Sequence, residues 1–158
     1  MSHWRIVRKV IFSSLAALFL GALTNTAFAC SCVGMPQEVQ FRMTPTVFVG
    51  EISAVKHNVN QSSTAQGLLI GPGTIEVTFK IKRAIKGEGK VDDSIVIRTS
   101  DQESACGIVA WARESPGSVW IVYADRSSGV LTSGLCSPTK RADSPAAAED
   151  FKYFDALK

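Results

Sequence analysis

Four cysteines, two of them separated by a single residue, limit the folds open to this chain. Cys30 and Cys32 stand near the N-terminus, whereas Cys106 and Cys136 lie in the second half of the sequence. A bridge between Cys30 and Cys32 would close a strained three-residue ring, so two pairings remain, and both tie the N-terminal cysteines to the two later ones. Either pairing predicts a fold whose N-terminal segment is fastened to distant parts of the chain.

The residues before Cys30 have the pattern of a secretory signal peptide. Residues 10–23 form an apolar run, which is preceded by the basic residues Arg5, Arg8 and Lys9. In Ala27-Phe28-Ala29, small residues occupy the two positions that signal peptidase recognises before the cleavage site. The apolar run is shorter than the roughly 20 residues of a membrane-spanning helix. We therefore expect residues 1–29 to be a cleaved signal peptide. The mature chain, residues 30–158, is then a single domain without a transmembrane segment, secreted to the extracellular space or the periplasm.

Lipoprotein processing is the alternative fate of the N-terminus. Cys30 would then be acylated, and the protein would be lipid-anchored at the cell envelope. Lipoprotein signals usually carry Leu three residues before the cysteine, whereas this sequence has Ala27 there, followed by the bulky Phe28. The sequence therefore favours the secreted form over the anchored one.

The cysteines are predicted to be structural. All four lie in the exported part of the chain, where oxidation is permitted, and an even number there is typical of a disulfide framework. A zinc site would show paired C-x-x-C spacing or added histidines, and residues 30–158 contain one histidine, His57. A redox-active C-x-C is disfavoured as well, because Gly34 and Pro36 follow it where a helix would be needed to lower the thiol pKa. We expect two disulfides.

The charge of the mature chain gives no sign of a nucleic-acid partner. Residues 1–29 hold three of the 17 Lys and Arg and none of the 14 Asp and Glu, so residues 30–158 carry 14 of each. Binding to phosphates requires a basic stripe. The clearest basic cluster is predicted to be the solvated side of a strand: Lys80, Lys82, Arg83 and Lys86.

Hydrophobic periodicity predicts a mainly β domain with a helix at each end. Residues 74–85 alternate strictly between apolar and polar side chains, the mark of a half-buried antiparallel strand. Gly50 inside another strand indicates a bulge or sharp bend, and residues 57–73 are predicted to be a hairpin loop with Leu68, Leu69 and Ile70 at its tip. The five predicted antiparallel strands are Thr46–Lys56, Thr74–Ile85, Ser94–Thr99, Val119–Ala124 and Val130–Cys136.

The two helices are placed by proline and by capping residues. A short helix is predicted in Pro36–Met43, ended by Pro45, and a second begins at Ser144 as N-cap with Pro145 at its first position. Phe151, Phe154 and Leu157 are spaced to face the core. Together with the strands, these elements predict a small closed or nearly closed barrel, with a β-sandwich as the other possibility.

Four local motifs, in this order, carry a resemblance to a known family. Cys30-Ser31-Cys32 directly follows the predicted cleavage site; IKRAIKG leads out of the second strand, SACG occupies residues 104–107 and GLC residues 134–136. In these motifs the chain resembles the N-terminal, netrin-like domain of the tissue inhibitors of metalloproteinases, as a single-domain bacterial-type member. The resemblance implies a five-stranded OB-fold-like closed barrel with a short N-terminal and a C-terminal helix, and it pairs Cys30 with Cys106 and Cys32 with Cys136.

The resemblance also implies a way of inhibiting zinc metalloproteases. The free α-amine and the carbonyl oxygen of Cys30 would chelate the catalytic zinc of the target enzyme, which keeps one coordination position open. Ser31 would point into the pocket beside the metal. The remaining residues of the contact ridge would be Cys32, Val33, Ser104 and Ala105. The only metal involved is the zinc of the target, and no cofactor is expected.

The sequence departs from the family pattern at two positions. Arg42 stands where the family has a further cysteine, and Gly34 replaces a ridge proline. The alternative function is therefore a non-inhibitory, secreted or envelope-bound netrin-like module that binds a protein partner. No enzyme is predicted, because no serine lies in a G-x-S-x-G motif and His57 is the one histidine after the signal peptide. Core packing is the preferred role of Trp120 and Tyr123, whereas Trp111 could line a groove.

Overall fold

A computed structural model of the protein describes residues 32–58, 61–64, 67–70, 73–102 and 106–157, with side chains in all of these ranges except 61–64 and 67–70. The predicted signal peptide, residues 1–29, lies outside the described residues. The described part contains eight strands, two α-helices and one 3-10 helix. In chain order they are α1 (Gln37–Met43), β1 (Thr46–Asn58), β2 (Gln61–Thr64), β3 (Gly67–Ile70), β4 (Thr74–Lys86), β5 (Ser94–Ser100), the 3-10 helix Val109–Arg113, β6 (Val119–Ser127), β7 (Val130–Thr132), β8 (Lys140–Arg141) and α2 (Ala147–Ala156).

Five strands pair in a closed ring in the order β1-β4-β5-β7-β6, and β6 pairs again with β1. β1 is long enough to pair with β4 along most of its length and with β6 through Thr46–Glu51. The ring differs from the all-antiparallel prediction at one place, because β7 runs parallel to β5 and meets it at Arg98 and Thr132. β8 adds a short edge to β6. The mainly β class is confirmed.

β1 bends where the sequence predicts a bend. Its register against β4 shifts between Val49 and Gly50, and also at two other places. A Cβ atom at Gly50 would lie 2.8 Å from the Phe48 ring and 3.1 Å from Phe79 Cβ. Gly50 therefore lets the strand curl around its own core side chains, because a residue without a side chain leaves room for them.

The interior of the ring is apolar and rich in aromatic rings. The inward residues of β4 are fully buried, as their alternation predicts: Ile75, Val77, Phe79 and Ile81. Trp111 packs edge-to-face on Phe79 and on Trp120, with ring centroids 5.4 and 5.8 Å apart. Trp111 is 0% exposed, so it belongs to the core and does not line a groove. The prediction that Trp111 lines a groove failed because the short 3-10 helix that carries this residue has no amphipathic pattern.

A second apolar cluster joins the outside of the ring to the two helices. It is formed by Val47, Val49, Ile121, Tyr123, Ala147 and Phe154, with Phe41 of α1 packed against it. Phe154 is buried and Phe151 is half-buried, as predicted. Leu157 is 49% exposed, which corrects its predicted core position: it is the C-cap residue of α2 and lies beyond Phe154, the last residue of the helix that packs in this cluster.

Several predicted boundaries are wrong; β6, for example, continues to Ser127 and does not end at Ala124. α2 begins at Ala147 and not after a Ser144 cap, because the Ser144 hydroxyl donates to Arg141 O at 2.8 Å and a separate turn precedes the helix. Residues 57–73 are not one loop, because β1 continues to Asn58 and β2 and β3 pair as a hairpin that places residues 68–70 in a strand. The last strand ends at Thr132 and not at Cys136, because the Ser133 hydroxyl turns back to donate to Tyr123 O at 2.9 Å.

No helix in the part of the chain that the structure describes is both long and apolar enough to span a membrane.

Candidate functional site

The disulfide between Cys32 and Cys136 fastens the N-terminal segment to the chain after β7. The two Cα atoms lie 5.1 Å apart across a sequence separation of 104 residues. This is the pairing that the resemblance implies, and a disulfide is compatible with an extracellular location. Cys106 is disulfide-bonded too, and the partner predicted for it, Cys30, lies outside the described residues.

The loops that carry Cys106 and Cys136 are in direct contact. The backbone N–H of Leu135 donates to Cys106 O at 2.7 Å. Cys106 has a φ of 59°, a left-handed conformation that costs a residue with a side chain roughly 1 to 2 kcal/mol. The hydrogen bond therefore joins the Cys106 loop to the Cys136 loop, to which Cys32 is attached.

Gly107 allows the Cys106 loop to lie against β5. Its N–H donates to Gln102 O at 3.0 Å, and a Cβ atom there would lie 1.9 Å from the backbone oxygen of Ser100. No side chain fits at that distance, because the obstructing atom belongs to the backbone. The glycine of the SACG motif is therefore required by a close approach between two chain segments.

We expect Gly107→Ala to lower the free energy of unfolding by roughly 2 to 3 kcal/mol, since the loop must move away from β5. Chemical denaturation would measure the change. Gly34→Ala is the matched control: a Cβ at Gly34 meets nothing within 4 Å, so stability should stay within about 1 kcal/mol of the wild type. Equal stability of the two variants would contradict the close approach.

The segment between the disulfide and α1 lies on the surface. Residues 32–36 are all exposed, and Val33 is 81% exposed. Apart from the disulfide, the structure gives residues 32–35 no hydrogen bond to another described residue, and Pro36 O accepts the N–H groups of Val39 and Gln40 at the start of α1. The segment therefore offers its backbone and side chains to a partner while one end is covalently fixed.

An apolar rim surrounds a groove next to the disulfide. We use this name for Met35, Met43 and Leu135, which are exposed and line a groove of about 420 Å³ together with Cys106 and Cys136. Met43 is 68% exposed although it belongs to α1. Clusters of exposed apolar side chains mark interaction surfaces, and methionine adapts its shape to different partners.

A second cleft, of about 490 Å³, lies on another side of Cys106. Arg98, Thr99 and Ser133 are among its lining residues. Arg98 forms an ion pair with Glu76 at 2.5 Å, and its hydrogen bond holds the pKa of the Glu76 carboxyl below the usual value. The Thr99 hydroxyl accepts a hydrogen bond from Ile108 N, and the Ser133 hydroxyl donates one to Tyr123 O. These polar groups of the cleft therefore already have hydrogen-bond partners within the protein.

A buried carboxylate ties α1 to the rest of the fold. Asp150 of α2 is 1% exposed, and its Oδ1 accepts hydrogen bonds from Gln37 Nε2 at 3.0 Å and from Tyr123 OH at 2.5 Å. Lys140 Nζ donates to its other oxygen at 2.6 Å. Burial, followed by the hydrogen bond to Asp150, raises the pKa of Tyr123 far above its usual value. The Asp150 carboxylate thus accepts hydrogen bonds from residues of α1, β6 and β8.

The basic cluster predicted on β4 is largely engaged within the protein. Ion pairs join Lys80 to Asp92, Lys82 to Glu51 and Arg83 to Asp155, and the ammonium of Lys86 donates to the carbonyls of Phe41 and Arg42. Three of its four charges are therefore balanced by neighbouring carboxylates. The sequence prediction that nucleic acid is not a partner stays a prediction.

The structure describes two of the predicted site residues directly. Cys32 and Val33 are exposed and adjacent to the joined cysteine loops. The other four lie outside the described residues: Cys30, Ser31, Ser104 and Ala105. Among the described side chains, no group of three or more His, Cys, Asp or Glu is placed to hold a metal ion.

Neither the Asp150 network nor the apolar rim was predicted from the sequence. Asp150 stands in AAAEDFKYF, where it resembles any exposed residue in the first turn of a helix, and its partners are far away in sequence. The rim had a visible signal, since Met35 precedes and Met43 ends a seven-residue helix that is too short to bury both of its sides.

Comparison of the sequence with known protein-family models and with curated proteins gives no match.

Proposed function

We propose that this protein is a secreted inhibitor of zinc metalloproteases that caps the catalytic zinc with the α-amine and carbonyl oxygen of Cys30. One observation carries the proposal: Cys32 and Val33 are exposed, yet they are bound through Cys136 to a loop that is hydrogen-bonded to Cys106. A segment that is both accessible and held in place is what a protease inhibitor must present.

The chemistry follows from the first mature residue. A free N-terminal residue carries an amine and a carbonyl oxygen two carbons apart, which can close a five-membered chelate on a metal with an open coordination position. The Cys30 sulfur would be engaged in a bond to Cys106, the second disulfide of the proposal. The two disulfides, one on each side of Ser31, would stiffen the segment. Little conformational entropy would then be lost on binding.

In this proposal the five-strand ring is an OB-fold-like closed barrel, and the ridge consists of Cys30, Ser31, Cys32, Val33, Ser104 and Ala105. The hydrogen bond from Leu135 to Cys106 supports the joining of the two halves of the ridge. A Cβ atom at Gly34 would meet nothing within 4 Å. Glycine in place of the family's proline therefore makes the segment less stiff without removing a packing contact. Arg42 is exposed on α1.

The apolar rim favours a second candidate function, a netrin-like module that binds a protein partner without inhibiting a protease. Exposed methionines beside a disulfide would serve such a contact without any need for a free N-terminus. Acylation of Cys30 is compatible with this function and incompatible with zinc capping. The intact mass of the native protein separates these cases, because an acyl chain adds a large and characteristic increment.

Inhibition is expected to weaken as the pH falls. An N-terminal amine has a pKa of about 7.7 to 8.0, and its neutral form is the one that can donate to zinc. The neutral fraction therefore decreases roughly 40-fold between pH 8 and pH 6, and the association constant should decrease with it. Inhibition constants against a zinc protease that is stable over this range would measure the effect.

A small hydroxamate inhibitor of the same protease provides the control for the enzyme's own pH dependence. After correction by this control, a constant affinity between pH 8 and pH 6 would rule out coordination by the amine.

A further inference from the structure

The exposed segment of residues 32–36 has two ends, and the structure holds both. At one end the disulfide joins Cys32 to Cys136. At the other end Pro36 leads into α1, whose first residue, Gln37, reaches across to α2. We refer to residues 32–36 as the span.

The anchor at the α1 end is buried and polar. Gln37 Nε2 donates to Asp150 Oδ1 at 3.0 Å, and Asp150 has a further donor on each of its two oxygens, Tyr123 OH and Lys140 Nζ. These two bonds fix the direction of the carboxylate. The carboxylate in turn fixes the amide of Gln37, because a hydrogen bond to a charged group in a buried site is stronger than one between neutral groups.

Apolar packing alone leaves the beginning of α1 undetermined. Phe41 packs on Tyr153 and Phe154 with centroid distances of 5.3 and 6.0 Å, but it lies one turn further along the helix. No residue of α1 is fully buried, and the Pro36 cap makes no side-chain hydrogen bond. The bond from Gln37 to Asp150 is therefore the specific contact at the point where the span enters the helix.

We infer that Asp150 is a positioning residue for the N-terminal segment: through Gln37 it fixes the start of α1 and so holds one end of the span that carries Cys32 and Val33. The consequence for inhibition rests on the proposed function, whereas the consequence for the order of the span does not.

The test uses Gln37→Met in the exported, oxidised protein. Methionine keeps the length of the side chain and removes the amide donor, while Asp150 retains Tyr123 and Lys140, so the fold should persist. Backbone order parameters at Val33 and Met35 are expected to fall from the rigid range near 0.85 to below about 0.6. Amide exchange at Val39 and Gln40 should accelerate about tenfold, and inhibition of the target protease should weaken by a similar factor.

Glu38→Met is the matched control, because it introduces the same side chain at the next, exposed position of α1. It should change neither the order of the span nor the affinity. Unchanged order parameters and exchange rates in Gln37→Met would overturn the inference, as would a loss of order shared by the ring strands.

The two proposals fail in different ways. If the wild-type protein does not inhibit and the span still loses order in Gln37→Met, zinc capping is wrong and the positioning by Asp150 stands. If the wild type inhibits and Gln37→Met is equally potent, Asp150 has no positioning role in inhibition.

Discussion

Replacement of both Cys32 and Cys136 by serine is expected to lower the free energy of unfolding by about 4 kcal/mol. The bond joins residues 104 apart, and loops of that length give about 4 to 5 kcal/mol in the chain-entropy treatment. The lower value is expected because Cys106 is bonded as well and already restricts the unfolded chain. Both cysteines are exposed, so serine adds no buried polar group. Urea denaturation of the oxidised protein and the variant would measure the difference.

Met35→Ser is a suitable control for this measurement, because it alters an exposed residue of the same segment without removing a crosslink. Its effect should stay within about 0.5 kcal/mol. A double serine variant whose stability lies within 1 kcal/mol of the wild type would show that the bond does not restrain the chain, and the rigid presentation of the N-terminus would lose its basis.

Addition of one alanine before Cys30 is expected to weaken inhibition by about 100-fold, the loss of a dominant contact worth roughly 3 kcal/mol. The added residue converts the amine of Cys30 into an amide, which does not donate to zinc, and moves the free terminus away from the disulfide. Stability should not change, because the insertion precedes both anchors. Inhibition constants of the two forms against the same protease would measure the effect.

Enzymatic removal of the added alanine provides the control, since it regenerates the original terminus on the same sample. The affinity should then return. If the extended protein inhibits as well as the original, the protein acts through another surface, and the apolar rim becomes the first candidate.

The sequence predicts the ring well where burial alone decides the structure. β4 separates core from solvent by strict alternation, and its inward residues are the ones that the ring buries. Gly50 signals the bend of β1 because only a missing side chain leaves room for Phe48 and Phe79. Both features depend on local pattern and on the volume of single residues, which a sequence displays directly.

Features that depend on distant partners were not predictable. Asp150 is buried only because Gln37, Tyr123 and Lys140 converge on it from three other elements. A local choice was not predictable either: the Ser144 hydroxyl donates to the backbone of Arg141 and does not cap α2, and nothing in a capping preference distinguishes these two uses of a hydroxyl. The Cys32–Cys136 pairing needed the family resemblance, because two pairings were equally open by chemistry.

The most direct test of zinc capping observes the metal itself. A target protease in which cobalt(II) replaces zinc has a visible absorption spectrum that reports the ligands of the metal. Zinc capping predicts that the protein beginning at Cys30 changes this spectrum on binding, as an amine nitrogen and a carbonyl oxygen enter the coordination sphere, and that the alanine-extended protein does not. Inhibition by the unextended protein with an unaltered cobalt spectrum would contradict it.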